Sequence, residues 1–598
     1  MPKTRYSKVW DLNKLFLDGS NSTKFQNYIK QLDLQVSEFE ELINNFQHLS
    51  DVSDSSRVES VMKYIADIRI NLSEANSFIT CLLAQKPNDQ NAVRLRWQTS
   101  SINARFESMI KEFQYTIFHT NELVWKALLE TKDLHKYKFV LTDFREKAAL
   151  LLSAEEEKLV SDLMVDGYHA WGQLYQSLIG NIKVKLQVDE VPKELSVGQA
   201  INLRSHPEER IRKMAHFALE NIWKEKEELV AQILNHIAGF RLQVYKNRGI
   251  DNVLVEPLME NCLKEETLHA MWSAVTKYKK PFIMYLNEKA KMNGDQKLQS
   301  YNFWAPIGKN DQKIDYDDAV DFIFEHFKQF GEETTNFTRQ AFDNGWIEAE
   351  DRPNKSAVAF CAGFPLSGES RIFMTYGERM TNVLTLAHEL GHAFHNEAMK
   401  HVDGINRQYP LCIAETASTF SEQIILDAAL KKADSIEEKL FLLDEKLKRS
   451  VMNFMNMHSR FLFETNFYEE RKTGVVSSKR LNELMQESLD VAYEGSLDHV
   501  SLYSWVWTPH YYLTKLPFYN FQYTFGYLFS LSLYVKFKNK GKEFEKEYIK
   551  LLRDSGSMSM EDLVMKHLKE DITSADFWEK GMKLCVKDVY DFIKLISH

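Results

Sequence analysis

The chain has 598 residues but only 12 prolines and 22 glycines, about half the usual share of these two breakers. So few turn formers exclude an all-β sandwich or barrel, and 44% apolar with 12% aromatic residues excludes low-complexity disorder. With 85 acidic against 75 basic residues the net charge is −10, so the basic footprint of a nucleic-acid binder is absent and no such partner is expected.

In chain order, the first residues, MPKTRYSKVWDLNKLF, carry early basic groups with no apolar run behind them, so no leader segment is expected. The five cysteines, at 81, 262, 361, 412 and 585, never form a CxxC pair. That spacing speaks against a disulfide framework and a cysteine-based metal site, and makes a cytoplasmic location the default. Phe25, Tyr28, Ile29, Leu32, Val36, Phe39, Ile43 and Phe46 recur at three- and four-residue steps, which predicts an amphipathic helix, and similar stripes continue to about residue 180. Residues 182–188 alternate apolar and polar, as in a half-buried strand. After Pro192 the pattern is expected to turn helical, with a helix start at Ser205-His206-Pro207-Glu208. A soft boundary at 190–204 divides the chain into a helical N-terminal region, 1–190, and a second region, 191–598.

The clearest β signal is the pair Ala357–Cys361 and Arg371–Tyr376, separated by Pro365 and Gly368. The edge of the run 371–376 suits pairing with an extended peptide. Helical patterning then resumes at Thr381 and continues to the C-terminus. Residues 516–535 lack charge, but Pro517, Asn520, Gln522, Thr524 and four tyrosines make them too polar for a membrane span. A buried, aromatic-lined helix is expected there, and no membrane partner. The fold class is therefore mainly α with a small β-sheet beside the helix that begins at Thr381.

That helix carries His388-Glu389-Leu390-Gly391-His392. A four-residue step stacks both imidazoles on one helix face, within reach of a single metal ion. Glu389 sits on the adjacent flank, where it can act on a water without ligating the metal. Gly391 in the helix interior costs about 1 kcal/mol relative to alanine, which predicts close approach by another backbone. Imidazole and carboxylate donors with a position left for water indicate one zinc ion. For the third ligand, the metzincin pattern is excluded because positions 395 and 398 are His395 and Ala398. His395 lies nearly in line with His388, so closing a tetrahedral site from one helix is awkward. The stretch Ile413–Glu422 is rich in small residues and places Glu415 and Glu422 seven apart on one helix face. Glu415 is taken as the ligand, with Glu422 orienting a ligand histidine through its other ring nitrogen.

His388–His395 followed by Ala414-Glu415-Thr416-Ala417-Ser418 resembles the oligoendopeptidase F branch of the thimet-oligopeptidase-type zinc metallopeptidases. Arg371–Tyr376, Pro509-His510-Tyr511-Tyr512 and Phe518–Tyr523 agree with it. The resemblance is strongest over 355–530. It implies a gluzincin-type, helical, clam-like body around a deep channel, and endopeptidase action on short peptides by attack of a water that zinc activates. By position it implies His388, His392 and Glu415 as metal ligands and Glu389 as the catalytic carboxylate. His510 with Tyr519 or Tyr523 would hydrogen-bond the transition state. Two other classes are weighed against this: an aminopeptidase or peptidyl-dipeptidase, which needs charged groups for a substrate terminus, and a helical scaffold or peptide-binding protein with a purely structural zinc. Intact Glu389 argues against the last.

Overall fold

The computed structural model describes residues 5–46, 48–188, 191–307, 313–353, 355–356 and 358–597. Helices dominate and the sheets are small, as expected. The chain forms two compact units, each assembled from three separate stretches, so neither coincides with the linear division at 190. The first unit comprises Met1–Ala154, Gln312–Ala428 and Lys536–Glu570; the second comprises Glu155–Asp311, Ala429–Val535 and Asp571–His598.

The first unit starts with a helical bundle. Ser22 caps the helix Thr23–Asn44 by accepting the Phe25 N–H, and Phe25, Ile29, Leu32, Val36, Phe39 and Ile43 form its buried stripe. Tyr28 and Phe46 pack at the margin of the same core. The helices Ser55–Gln85 and Gln90–Phe118 close over that stripe, with Phe16, Phe25 and Phe78 in tilted and edge-on contact at 4.7–4.8 Å. This core also takes in Ala362, Phe364, Phe373 and Ile405, which ties the bundle to the sheet.

That sheet has three strands. Ile347–Glu348 runs parallel to Glu369–Phe373, which pairs antiparallel with Phe360–Phe364 in the register Phe360↔Phe373 to Phe364↔Glu369. The expected hairpin is present, though Ala357 lies outside the described residues and the first strand begins at Phe360. One expectation is corrected. The run from Arg371 lies in the central strand, and Met374 and Tyr376 extend its pairing to Glu348 O and Ala349 O. Both its edges are filled, so the strands at the sheet's rims are Ile347–Glu348 and Phe360–Phe364. Behind the sheet lies the helix Met380–Ala398. Asn382 closes its start by accepting the N–H groups of Gly377 and Arg379, and Phe394 anchors it against Phe337 and Tyr548.

In the second unit, Lys183–Val188 is the expected strand, but the chain does not turn helical at Pro192. Val191–Ser196 returns as an antiparallel partner, with Pro192 opposite Gln187. A two-stranded ribbon has only edges, and there the missing N–H of proline costs no ladder bond. Ser196 and Gln199 then form a capping box that starts the next helix. The long helix Glu209–Asn247 begins four residues after Ser205. Phe521–Lys540 is the expected buried helix: Thr524 and Tyr527 satisfy their hydroxyls on Asn453 O and Ser450 Oγ. No helix among the described residues is long and apolar enough to cross a membrane.

Candidate functional site

In the first unit, the helix Met380–Ala398 presents His388 and His392 from one face, with ring centroids 4.9 Å apart and planes at 83°. Both Nε2 atoms converge on one oxygen, Glu415 Oε2, at 3.3 and 3.5 Å. Donor atoms of the three residues all lie within 4.8 Å of one another. Glu422 Oε2 stands 3.6 Å from Nδ1 of His388, on the side of the ring away from Glu415. The four side chains are thus arranged as the spacing in the sequence predicts, with one local difference. Glu415 is not inside a continuous helix. It ends the short turn Leu411–Ala414, at φ −84° and ψ 0°, and the helix Thr416–Lys432 starts after it.

Gly391 explains how the two segments come together. A Cβ there would lie 2.4 Å from Ala417 O and 2.6 Å from Ser418 Cα. Only a residue without a side chain lets the backbone that follows Glu415 approach so closely. Ser418 then donates to Glu415 Oε2 at 3.1 Å and holds the carboxylate in place. Ser418 was not singled out by sequence reasoning; its signal is the three-residue step from Glu415. His395 is absent from the cluster. It is fully buried, stacked on Tyr409 at 4.1 Å, with Nε2 on Ser555 Oγ at 3.0 Å, so it is a core residue.

Electrostatics separate the two glutamates. Burial raises the Glu389 carboxyl above its ordinary range; the nearby imidazoles oppose this and Glu415 adds to it. Glu389 is 5% exposed, and its Oε2 is buried with no hydrogen-bond partner. A buried carboxylate oxygen left without a partner is costly, so the fold holds it there for something other than packing. Burial works on Glu415 in the same direction, but the two imidazoles outweigh it and hold its carboxyl well below the usual range. Two imidazole nitrogens and one carboxylate oxygen on a common point, beside an orphaned carboxylate, fit a zinc ion with a fourth position open.

In the second unit, His510, Tyr519 and Tyr523 form one half-buried cluster. The His510 and Tyr519 rings stack at 5.5 Å and 14°, and Tyr523 meets them edge-on at 5.6 and 5.2 Å. Burial, then the Arg460 charge, lowers His510 to about 4, so its imidazole is neutral at physiological pH. Arg460 can only donate, at 3.5 Å, which makes Nδ1 of His510 the acceptor and leaves the proton on Nε2. That N–H faces the Tyr523 hydroxyl at 3.3 Å. Arg460 carried no local sequence signal, because it lies 50 residues from His510.

Comparison with known proteins covers nearly the whole chain. The family described as Peptidase family M3 matches residues 202–584, and the one described as Oligopeptidase F matches 117–183. An oligoendopeptidase F homolog of Lactococcus lactis subsp. lactis is 24% identical, over 98% of this chain and 97% of its own length. The group B oligopeptidase PepB of Streptococcus agalactiae is 24% identical over the same shares of the two chains. The crystal structure of oligoendopeptidase-F from Enterococcus faecium superposes with a TM-score of 0.71 at 18% identity, over 96% of this chain and 99% of that one. By its family matches and its fold, the chain belongs to peptidase family M3, in the oligoendopeptidase F branch of these metallo-oligopeptidases.

Proposed function

We propose that the protein is a zinc-dependent endopeptidase that hydrolyses internal bonds of short peptides. The observation that carries this reading is the convergence of His388 and His392 Nε2 on Glu415 Oε2, next to the orphaned Glu389 carboxylate. His388, His392 and Glu415 would hold the metal, and Glu422 would fix the ring of His388 through Nδ1. A zinc ion there acts as a Lewis acid and brings the pKa of water down towards ~7.

The protein's own groups do the rest. Glu389 accepts a proton from the attacking water and delivers it to the amine nitrogen that leaves as the C–N bond breaks. A carboxylate raised by burial suits both halves of that transfer, since the best base has a pKa near the working pH. As the resemblance implies, the Nε2–H of His510 with the hydroxyl of Tyr519 or Tyr523 would donate to the oxyanion that develops on the carbonyl. Each such donor contributes roughly 2.7–4 kcal/mol to transition-state stabilisation. All three are neutral donors, so they need no counter-charge in the ground state. An extended substrate backbone would pair with the rim strand Phe360–Phe364, which reads main chain rather than side chains and favours broad specificity.

A cytoplasmic site of action is part of this proposal. The five cysteines form no disulfide, as in a reducing compartment. The division at 190/191 is retained as a boundary between sequence regions, the two family matches lying on either side of it.

The deciding experiment uses an internally quenched peptide with its N-terminus acetylated and its C-terminus amidated. Cleavage at an internal bond that needs stoichiometric zinc supports the reading. Cleavage confined to peptides with a free terminus would point to an exopeptidase instead. Zinc binding with no cleavage of any peptide would point to a structural metal.

A further inference from the structure

Residues 508–520 carry His510 and Tyr519 between the short helix Ser504–Trp507 and the helix Phe521–Lys540. This segment is anchored at several points, all in the second unit. Tyr512 stacks flat on Tyr175 at 3.6 Å and donates to Trp505 O at 2.7 Å. Thr514 is held by His169 Nδ1 at 2.7 Å, and its carbonyl accepts from Arg241 at 3.4 Å. The last anchor differs from these, because it is a single carboxylate that grips two residues.

Glu464 is 3% exposed, on the helix Met457–Arg471. Its Oε1 accepts the Phe518 N–H at 3.1 Å, and its Oε2 accepts from Asn520 Nδ2 at 3.4 Å. Tyr519 lies between those two residues. Phe518 has φ +53°, a left-handed conformation that a phenylalanine adopts only when something holds it there. We infer that Glu464 is a positioning residue: by clamping the residues on either side of Tyr519, it sets the Tyr519 ring against His510 and Tyr523. Glu464 acts through the Phe518 backbone N–H and the Asn520 side-chain amide.

The groups around Glu464 show how the clamp is tuned. Arg241 faces it from the helix Glu209–Asn247, Tyr511 from the turn Pro509–Tyr512, and Tyr468 from its own helix. Burial lifts Glu464 to about 7, against the pull of the Phe518 N–H, the Arg241 charge and the Asn520 amide. The protonated carboxyl has an acceptor at hand, because Asn520 Oδ1 is buried with no partner. Half a turn of that amide brings Oδ1 to the Glu464 O–H, while the Phe518 N–H keeps its acceptor. A glutamine at 464 offers the same pair, an acceptor for Phe518 and a donor for Asn520 Oδ1.

This inference rests on the reading of Tyr519 as a donor to the reaction, and the test separates the two. The full-length zinc enzyme is compared with Glu464→Ala, Glu464→Gln, Tyr519→Phe and the double variant Glu464→Ala/Tyr519→Phe. Tyr519→Phe should lower kcat by roughly 100-fold. Glu464→Ala should lower kcat by roughly 10- to 100-fold with KM little changed, zinc content unaltered, and no further loss in the Tyr519→Phe background. Glu464→Gln should restore most of the activity. Hydrogen exchange gives a readout independent of catalysis: the Phe518 amide should exchange at least about tenfold faster in Glu464→Ala and at the parent rate in Glu464→Gln. Effects of the two single variants that multiply in the double variant would overturn the inference, as would an unchanged Phe518 amide. Wild-type kcat in Tyr519→Phe would refute the donor role of Tyr519, and exchange at Phe518 would still decide whether Glu464 clamps the turn. If Glu464→Ala fails to fold, Asn520→Ala removes one of the two clamp bonds; a smaller loss of kcat, absent in the Tyr519→Phe background, supports the inference, and a loss that persists there overturns it.

Discussion

Replacing Gly391 with alanine sets two effects against each other. In a helix interior free of neighbours, the change stabilises by about 1 kcal/mol, through helix propensity. Here the new Cβ would stand 2.4 Å from Ala417 O, 2.6 Å from Ser418 Cα and 2.8 Å from Ala417 C, where ordinary contact begins at 3.4 Å. All three are backbone atoms and cannot rotate aside, so the segment after Glu415 must move by about 1 Å. Overpacking of this kind costs about 1–3 kcal/mol, which meets or exceeds the propensity gain. The larger consequence is for the metal. Ligand distances tolerate about ±0.2 Å, and Glu415 lies two residues before the displaced carbonyl. Zinc affinity should fall roughly 10- to 100-fold, the loss typical when a ligand's support is disturbed. Competition against a chromophoric chelator measures that affinity, and calorimetry of the metal-free protein measures the packing cost. An alanine variant that melts higher than the parent and binds zinc equally well would refute the argument, by showing that the two backbones have room between them.

Three further outcomes are expected. Glu415→Gln should lose most of its zinc on dialysis against a weak chelator, read by elemental mass spectrometry; full occupancy would move the third ligand elsewhere. Glu389→Gln should keep its zinc and lose roughly 10²- to 10⁴-fold in kcat, so wild-type turnover would remove Glu389 from proton transfer. The pH dependence of stability should carry the signature of Glu464. Its folded pKa, about 7, lies above the ordinary 4.5, so the folded chain holds the proton more tightly than the unfolded one. That contribution is complete below pH 4.5 and is lost as the pH rises to 7, a change of about 3 kcal/mol. Glu464→Gln has no such titration, so its advantage over the parent in urea midpoint should grow between pH 5 and 8; a constant difference would refute the assignment.

The parts of the site that were legible in the sequence are those set by local geometry. Helical periodicity places His388 and His392 on one face wherever the helix packs, and the interior Gly391 announces a close neighbour. The break at Glu415 was not legible. It arises where a distant backbone presses on Gly391, and the residues around it, Ile413 to Thr419, are all compatible with a helix. The order of strands was hidden for a similar reason. Arg371–Phe373 becomes central only because two residues, Ile347 and Glu348, add a parallel partner, and a pair so short leaves no pattern. The turn that gathers His510, Tyr519 and Tyr523 passes through a positive φ at Phe518, where a glycine would have marked it. Arg460 and Glu464 sit some fifty residues before the groups they serve, so their roles exist only in the folded chain.

The interleaving of the two units bears on how the protein can be made. The bundle of residues 1–154 leaves the ribosome first, yet its core includes Phe364, Phe373 and Ile405, and its unit ends only at Glu570. At roughly 5–20 residues per second, the covering residues, up to Ile405, follow about 13–50 s later. For that interval the nascent bundle offers an apolar flank to whatever is nearby, while the chain that will cover it is still being synthesised. A break in translation anywhere before residue 364 releases a fragment with that flank permanently bare, a natural target for holdase chaperones and quality-control proteases. The residues proposed to hold the metal come later still: both histidines and Glu415 emerge only after the strands against which their helix packs, so the proposed site is completed on a scaffold already synthesised.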